Sequence, residues 1–155
     1  MKILIIIVVL LVAGLAVWKL LRSRNKGVRV KTISVSDIGE VYRQIATQHQ
    51  EASFAVFIIA PPYRGAQDTV EVQFSVEEGV TGLDWILMSE SNKREKQRVI
   101  QYASSKGAKW RECEMNNWIY LRIDQGDLVE FCTSLIRDLY EVEYVQLKYG
   151  GFKYR

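Results

Sequence analysis

Cysteine, histidine and proline are scarce in this chain of 155 residues, and the first two shortages exclude classes of protein. Two cysteines, Cys113 and Cys132, cannot form a disulfide framework, although they could pair in an oxidising compartment. We interpret them as small apolar core residues. The single histidine, His49, has no second histidine or cysteine at ligand spacing for a zinc site. The sequence also lacks a Gly-rich phosphate loop and a nucleophile elbow. We therefore expect no enzyme activity, no metal and no cofactor.

Acidic residues are absent from the first 31 positions, which hold seven of the 21 Lys and Arg residues. Residues 32–155 carry the other 14 cations against 18 Asp and Glu, a net charge of −4. The basic pI of about 8.8 therefore reflects the N-terminal segment alone. Nucleic-acid binding requires a concentrated positive surface, so we expect no nucleic-acid partner.

Residues 3–18 contain no charged side chain. A helix from Ile3 to Leu21 would be about 28 Å long, close to the hydrocarbon thickness of a bilayer. The pattern predicts a single transmembrane helix that contacts membrane lipid, with Ile3, Leu11, Trp18 and Leu21 among its spanning residues. A cleaved signal peptide ending at residues 14–16 is the alternative, which the length of the run disfavours.

Basic residues follow the apolar run and predict its orientation. We expect lipid headgroups to contact Lys19, Arg22, Arg24 and Lys26. The positive-inside rule then places the rest of the chain in the cytoplasm, at the inner membrane, with the outer face as the alternative. The predicted organisation is a membrane anchor at 1–22, a basic juxtamembrane segment at 23–35 and a soluble α+β domain at 36–155.

The periodicity of residues 36–155 switches between that of helices and that of strands. Helices are predicted from Asp37 to near His49, from an Asn92 cap to Gly107, and from Asp127 to Leu139. Strands are predicted at 53–60, 69–76, 83–88, 109–115 and 118–123. The segment 142–149 is a further candidate strand, and 28–35 is either a strand or an extended exit from the membrane. Asp84, an acid within an apolar strand, is either exposed or hydrogen-bonded to a backbone group or an arginine.

From Asp37 to Tyr140 the order of elements reads α-β-β-β-α-β-β-α. This order resembles the type III secretion chaperone-like fold, a twisted antiparallel sheet with helices packed on it, also found in small bacterial proteins outside secretion. The elements behind the resemblance are the first three strands, the helix from Asn92, a hairpin turn at Asn116-Asn117 and the helix from Asp127. The resemblance implies a small antiparallel-sheet domain with about three helices, whose sheet face and grooves bind other polypeptides without catalysis.

Trp118 and Tyr120 lie on the face of their strand opposite its aliphatic side chains. Trp110 would lie near them if the preceding strand pairs in hairpin register. Exposed Trp and Tyr side chains are typical of protein interfaces, so Trp110, Trp118 and Tyr120 are the candidate protein-binding residues. The alternative is that a helix covers this face and makes these side chains part of the core.

Together these features predict a membrane-anchored, non-enzymatic protein-interaction module, chaperone- or adaptor-like, with an unknown protein partner. For the aromatic face, self-association into a homodimer is the first expectation and capture of a partner segment is the second. A membrane-tethered immunity protein that binds a toxin is the alternative, favoured by acidic pairs at 112–114 and 141–143. A small hydrolase or transferase is a further alternative. It needs a pocket of converging polar groups, and no motif in the sequence predicts one.

Overall fold

The computed structural model describes residues 28–48, 53–65, 67–115 and 117–151. They form one seven-stranded antiparallel sheet and three helices. The strands are β1 (Arg29–Ser34), β2 (Phe54–Ile59), β3 (Val70–Glu77), β4 (Val80–Ile86), β5 (Arg111–Met115), β6 (Trp118–Ile123) and β7 (Tyr144–Gly150). The helices are α1 (Ile38–Gln48), which follows a 3-10 turn at Val35–Asp37, α2 (Glu90–Ser105), and α3 (Leu128–Ser134), which continues as a π-helical turn at Leu135–Leu139.

The strands lie in the order β1-β7-β2-β3-β4-β6-β5, so β1 and β5 form the two edges of the sheet. The last strand along the chain, β7, is inserted between β1 and β2 and pairs antiparallel with both. The segments 28–35 and 142–149 therefore both contribute strands. For the first of them, this decides between the two alternatives that the sequence left open.

All three helices pack on one face of the sheet. Alternate residues of β2 and β3, such as Phe57 and Phe74, are buried on this face because strand side chains alternate between the two sides. Tyr42 of α1 contacts the Phe74 ring edge-on. The Trp85 indole of β4 donates to the backbone oxygen of Asn92 in α2 and stacks with Tyr140 at the end of α3. The core thus lies between this helix-covered face and the apolar sides of the helices.

The opposite side of the sheet is the open face, to which Ser75, Gly82, Asp84, Tyr120 and Arg122 belong by register. No helix among the described residues packs on it. Its properties therefore depend on the side chains of the strands themselves, and the candidate functional site lies on it.

The predicted fold class requires correction at its N-terminal part. The proposed membrane-spanning residues Ile3, Leu11, Trp18 and Leu21 lie outside the described residues, as do Lys19, Arg22, Arg24 and Lys26. Within the described part of the chain, every helix is too short or too polar to cross a membrane. The longest, α2, has 16 residues and carries charged side chains along its exposed side. The residues that the structure describes thus form an α+β fold with a seven-stranded antiparallel sheet and three helices, and the expected transmembrane helix is not among these elements.

Asn92 does not cap helix α2, contrary to the sequence prediction. Ser89 is the N-cap, and its hydroxyl accepts a hydrogen bond from the Asn92 backbone nitrogen at 3.1 Å. The Asn92 side chain is buried and donates to the backbone oxygens of Glu71 and Ile86, at 2.7 and 2.9 Å. Its carbonyl accepts from the Glu71 backbone nitrogen at 2.9 Å. Asn92 therefore fastens the first turn of α2 to strands β3 and β4.

Candidate functional site

The structure separates the three aromatic residues that the sequence grouped together. Trp118 and Tyr120 lie on the open face, whereas Trp110 is only 8% exposed and belongs to the core. Its ring meets Phe131 of α3 edge-on, with 5.8 Å between centroids, and its indole nitrogen donates to the Val99 oxygen at 3.2 Å. The expectation that Trp110 lies beside the other two is thus corrected, because the β5–β6 register, continued one residue beyond Arg111, places Trp110 opposite Ile123 on the helix-covered face.

Trp118 and Tyr120 differ sharply in exposure. Trp118 is 51% exposed, whereas Tyr120 is 6% exposed. The Tyr120 hydroxyl donates to the carboxylate of Glu77, at 3.0 and 3.1 Å from its two oxygens. Burial and this carboxylate raise the pKa of Tyr120 above its ordinary value. Tyr120 is therefore held in place by the fold, and Trp118 is the exposed member of the two.

A buried ion pair occupies the centre of the open face. The Nη1 of Arg122 donates to Oδ1 of Asp84 at 2.7 Å and to the hydroxyl of Ser75 at 2.9 Å. Its Nη2 donates to the Val80 backbone oxygen at 3.0 Å. Asp84 and Arg122 are only 1% and 2% exposed, although no described helix covers them. Of the alternatives open for Asp84, the structure shows the hydrogen-bonded one, with an arginine as the partner.

Gly82 makes room for this ion pair. It lies on β4 opposite Ser75, and a Cβ at this position would overlap the Arg122 guanidinium. Burial raises the pKa of the Asp84 carboxyl, while the Arg122 charge and the hydrogen bond from Ser75 oppose that rise. The hydrogen bonds of this pair are made to neighbouring strands, which is the arrangement of a structural ion pair.

Four exposed large apolar side chains of the open face form one row at one end of the sheet. Met115 pairs with Trp118, and continuation of the β4–β6 register places Met88 opposite Trp118 as well. The registers through β2 and β3 place Tyr144 of β7 in the same row. Each of these side chains exposes more than half of its surface. We call this set the apolar row: Tyr144, Met88, Trp118 and Met115.

A cavity of about 830 Å³ lies at the opposite end of the sheet, between the α2–β5 and β6–α3 connections. Its rim carries charges of both signs, and several of them neutralise each other: Arg111 contacts Asp124 at 2.7 Å, and Lys106 contacts Asp138 at 3.1 Å. The described residues also contain no group of three or more His, Cys, Asp and Glu side chains that could hold a metal ion. The apolar row is therefore the stronger candidate site.

The sequence pattern does not predict that Met88, Met115 and Tyr144 are exposed. Each belongs to a segment whose pattern predicts a strand, and period-2 alternation does not tell which face a helix will cover.

Comparison with known proteins finds no match: no family model fits the chain, and no curated protein or solved structure matches it.

Proposed function

We propose that this protein is a non-enzymatic protein-interaction module that binds a partner polypeptide through the apolar row. The observation that carries the proposal is the alignment of Trp118 with Met88 and Met115 on a sheet face that no described helix covers. Single exposed apolar residues are common on protein surfaces, but contiguous ones mark interaction sites. Trp and Met are also enriched at interfaces, where Met adapts its shape to the partner.

The dimensions of the apolar row suit a peptide segment. Tyr144 and Met115 lie on strands β7 and β5, which are five strand spacings apart. At about 4.8 Å per spacing, the row is about 24 Å wide. An extended segment of about seven residues or a helix of about 16 residues spans this distance. A chaperone- or adaptor-like role stays a prediction, since an order of elements does not identify a function or a partner.

The buried polar groups behind the row support the proposal because they fix its backbone. Tyr120 follows Trp118 by two residues on β6 and is held by Glu77. Arg122 follows by two more and is held by Asp84 and Ser75. A surface that is already ordered before binding loses less conformational entropy when the partner arrives.

The toxin-binding alternative depends on two acidic pairs, and one glutamate of each pair already forms a salt bridge within the protein. Glu112 contacts Lys96 at 2.9 Å, and Glu143 contacts Arg137 at 3.1 Å. An immunity role stays a prediction.

Co-purification from the native host tests the proposal with Trp118→Ser and a matched control. Val80 is 50% exposed on the same face but lies at the opposite end of the sheet, so Val80→Ser is the control. We expect wild type and Val80→Ser to co-purify with equal amounts of the same partner. The amount recovered with Trp118→Ser should be at least about tenfold lower. Because Trp118 is exposed, its replacement should change the free energy of unfolding by less than about 1 kcal/mol. Equal partner recovery by all three proteins would contradict the proposal.

A further inference from the structure

We infer that two copies of the chain pack face to face through the part of the open face around β2. This contact goes beyond the proposed function, because its partner is a second copy and its centre is a different set of residues. We call this set the β2 patch: Phe54, Val56 and Ile58, the side chains that β2 places on the open face. Trp118 of the apolar row lies on β6, three strand spacings or about 14 Å away.

Strand β2 is apolar on both of its faces. Its residues 54–59 include no polar side chain, whereas β3 and β7 place polar residues such as Gln73 and Gln146 on the open face. A strand with one face in water alternates between apolar and polar residues, and a continuous apolar run is typical of a strand that is covered on both faces. Because β2 lies in the interior of the sheet, between β7 and β3, its sequence indicates that the open face is covered there.

The β2 patch is only half-buried in a single copy. Its three side chains alternate along the strand with fully buried ones. The Phe54 ring lies over Gly150 of β7, where a Cβ would be 3.0 Å from the ring. Val30, which pairs with Lys148, is 64% exposed and extends the apolar surface to the edge strand β1. No described helix packs on this surface, so apolar area remains for a partner to bury.

The dimensions of the open face suit a second sheet better than a single segment. Seven strands at about 4.8 Å per spacing make the face about 29 Å wide, and the six residues of β2 make it about 20 Å long. The projected area is about 600 Å², of the order of the ~800 Å² that each partner buries in a standard interface. A helix covers a band only about 10 Å wide. Another sheet, packed about 10 Å away, covers the patch and its surroundings together.

Two unpaired charges flank the β2 patch on opposite sides. Lys148 of β7 lies beside Val56, and Glu71 of β3 lies beside Ile58. Both side chains are exposed, and neither forms an ion pair with a described residue. By register the two residues are about 12 Å apart, and no contact joins them within one copy.

A two-fold axis over β2 pairs each of these charges with its opposite. The midpoint between Lys148 and Glu71 lies over Val56 and Ile58, in the β2 patch. An axis through this point, parallel to the sheet and perpendicular to the line between the two residues, brings Lys148 of one copy against Glu71 of the other. Symmetry forms the same pair twice. The charges thus set the register of the contact, and burial of the apolar patch of each copy stabilises it.

Charge exchange tests the inference, with the dimer measured by sedimentation of the full chain in a mild detergent that covers the uncharged segment 3–18. Glu71→Lys brings two lysines together at each pair, and Lys148→Glu brings two glutamates together. We expect each single variant to raise the dissociation constant of the dimer at least about tenfold. The double variant Glu71→Lys/Lys148→Glu restores opposite charges and should return the constant to within about threefold of wild type.

The matched control is Glu114→Lys, the same change on the helix-covered side of the edge strand β5, and it should leave the dimer unchanged. Urea unfolding of every variant checks that the fold is intact. Carbodiimide, which joins an amine to a carboxylate in contact, should link Lys148 to Glu71. Mixing two isotopically distinct batches of the chain then shows by mass spectrometry whether the link joins two copies.

Three outcomes would overturn the inference. The first is a chain that stays monomeric at every concentration. The second is a dimer that neither single variant weakens, because another part of the chain would then hold it together. The third is a double variant that associates no better than the single ones, since the two residues would then not face each other.

Discussion

Replacing Arg122 with methionine removes the cation of the buried ion pair on the open face. We expect Arg122→Met to reduce the free energy of unfolding by about 3–5 kcal/mol, the usual effect of leaving one buried charge without its partner. Asp84 is 1% exposed, so solvent cannot replace the lost guanidinium. The substitution also removes the hydrogen bonds that Arg122 donates to Ser75 and to the Val80 oxygen. Methionine retains much of the side-chain volume, so a cavity contributes little to the loss.

A double variant tests whether the unpaired Asp84 charge causes this effect. Asp84→Leu/Arg122→Met removes both charges, and replacing a buried ion pair by apolar side chains is often nearly neutral. We expect the double variant to be more stable than Arg122→Met by about 2–4 kcal/mol. Gly82→Ala is a steric version of the same test, because its Cβ would displace the guanidinium from Asp84. Equilibrium unfolding in urea measures all of these variants, with equal m-values as the check that the transitions are comparable.

The pH dependence of stability provides a second readout. Burial already raises the pKa of Asp84, and Arg122 is the largest opposing influence. Without Arg122 the pKa rises further, so the folded variant binds a proton more readily than the unfolded chain. The stability deficit of Arg122→Met relative to wild type is therefore largest at high pH and shrinks as the pH falls towards the raised pKa. A deficit below about 1 kcal/mol, or a deficit that is the same at every pH, would refute the reasoning.

Three further predictions concern positions outside this pair. Gly151 has φ +80°, and a Cβ there would lie 2.7 Å from a neighbouring backbone carbon, so Gly151→Ala should lower the stability to urea by about 2 kcal/mol or more. Trp110→Ala should reduce the free energy of unfolding by about 3–5 kcal/mol because Trp110 is in the core, whereas Trp118→Ala should reduce it by less than about 1 kcal/mol. Iodoacetamide should alkylate only Cys113 in the folded protein, since Cys132 is fully buried and burial raises its pKa; mass spectrometry should show one adduct, and two after unfolding in urea.

The sequence predicts best those elements whose pattern is local. Strand β6 has the predicted bounds, Trp118–Ile123, and α3 begins after the predicted cap, Asp127. Both depend on side-chain spacing within a few residues, which the chain itself displays. Strand β4 begins at Val80, three residues before the predicted start, because Gly82 interrupts the apolar pattern. Position 82 requires a glycine because a Cβ there would overlap the Arg122 guanidinium, and Arg122 lies on another strand.

Pairings between distant segments could not be predicted from a single sequence. Strand β1 pairs with β7, more than 100 residues later in the chain, and β7 in turn pairs with β2. Asp84 was recognised as unusual, but its partner Arg122 occupies an ordinary polar position on β6. The apolar row has the same origin: Tyr144 and Met115 lie in one row only because five intervening registers place them there.

We propose that stability and binding depend on different rows of the open face. On β6, Arg122 and Tyr120 point into contacts with neighbouring strands, while Trp118, two residues earlier on the same face, does not. The buried polar side chains of the inner rows (Tyr120, Arg122, Asp84 and Ser75) are hydrogen-bonded to neighbouring strands. The face can therefore stay uncovered without leaving these groups unpaired. The proposed partner would bind this uncovered face. The buried ion pair therefore orders the open face, which does not contribute to the core under the helices. On this face, the apolar row is where the proposed partner would bury apolar area.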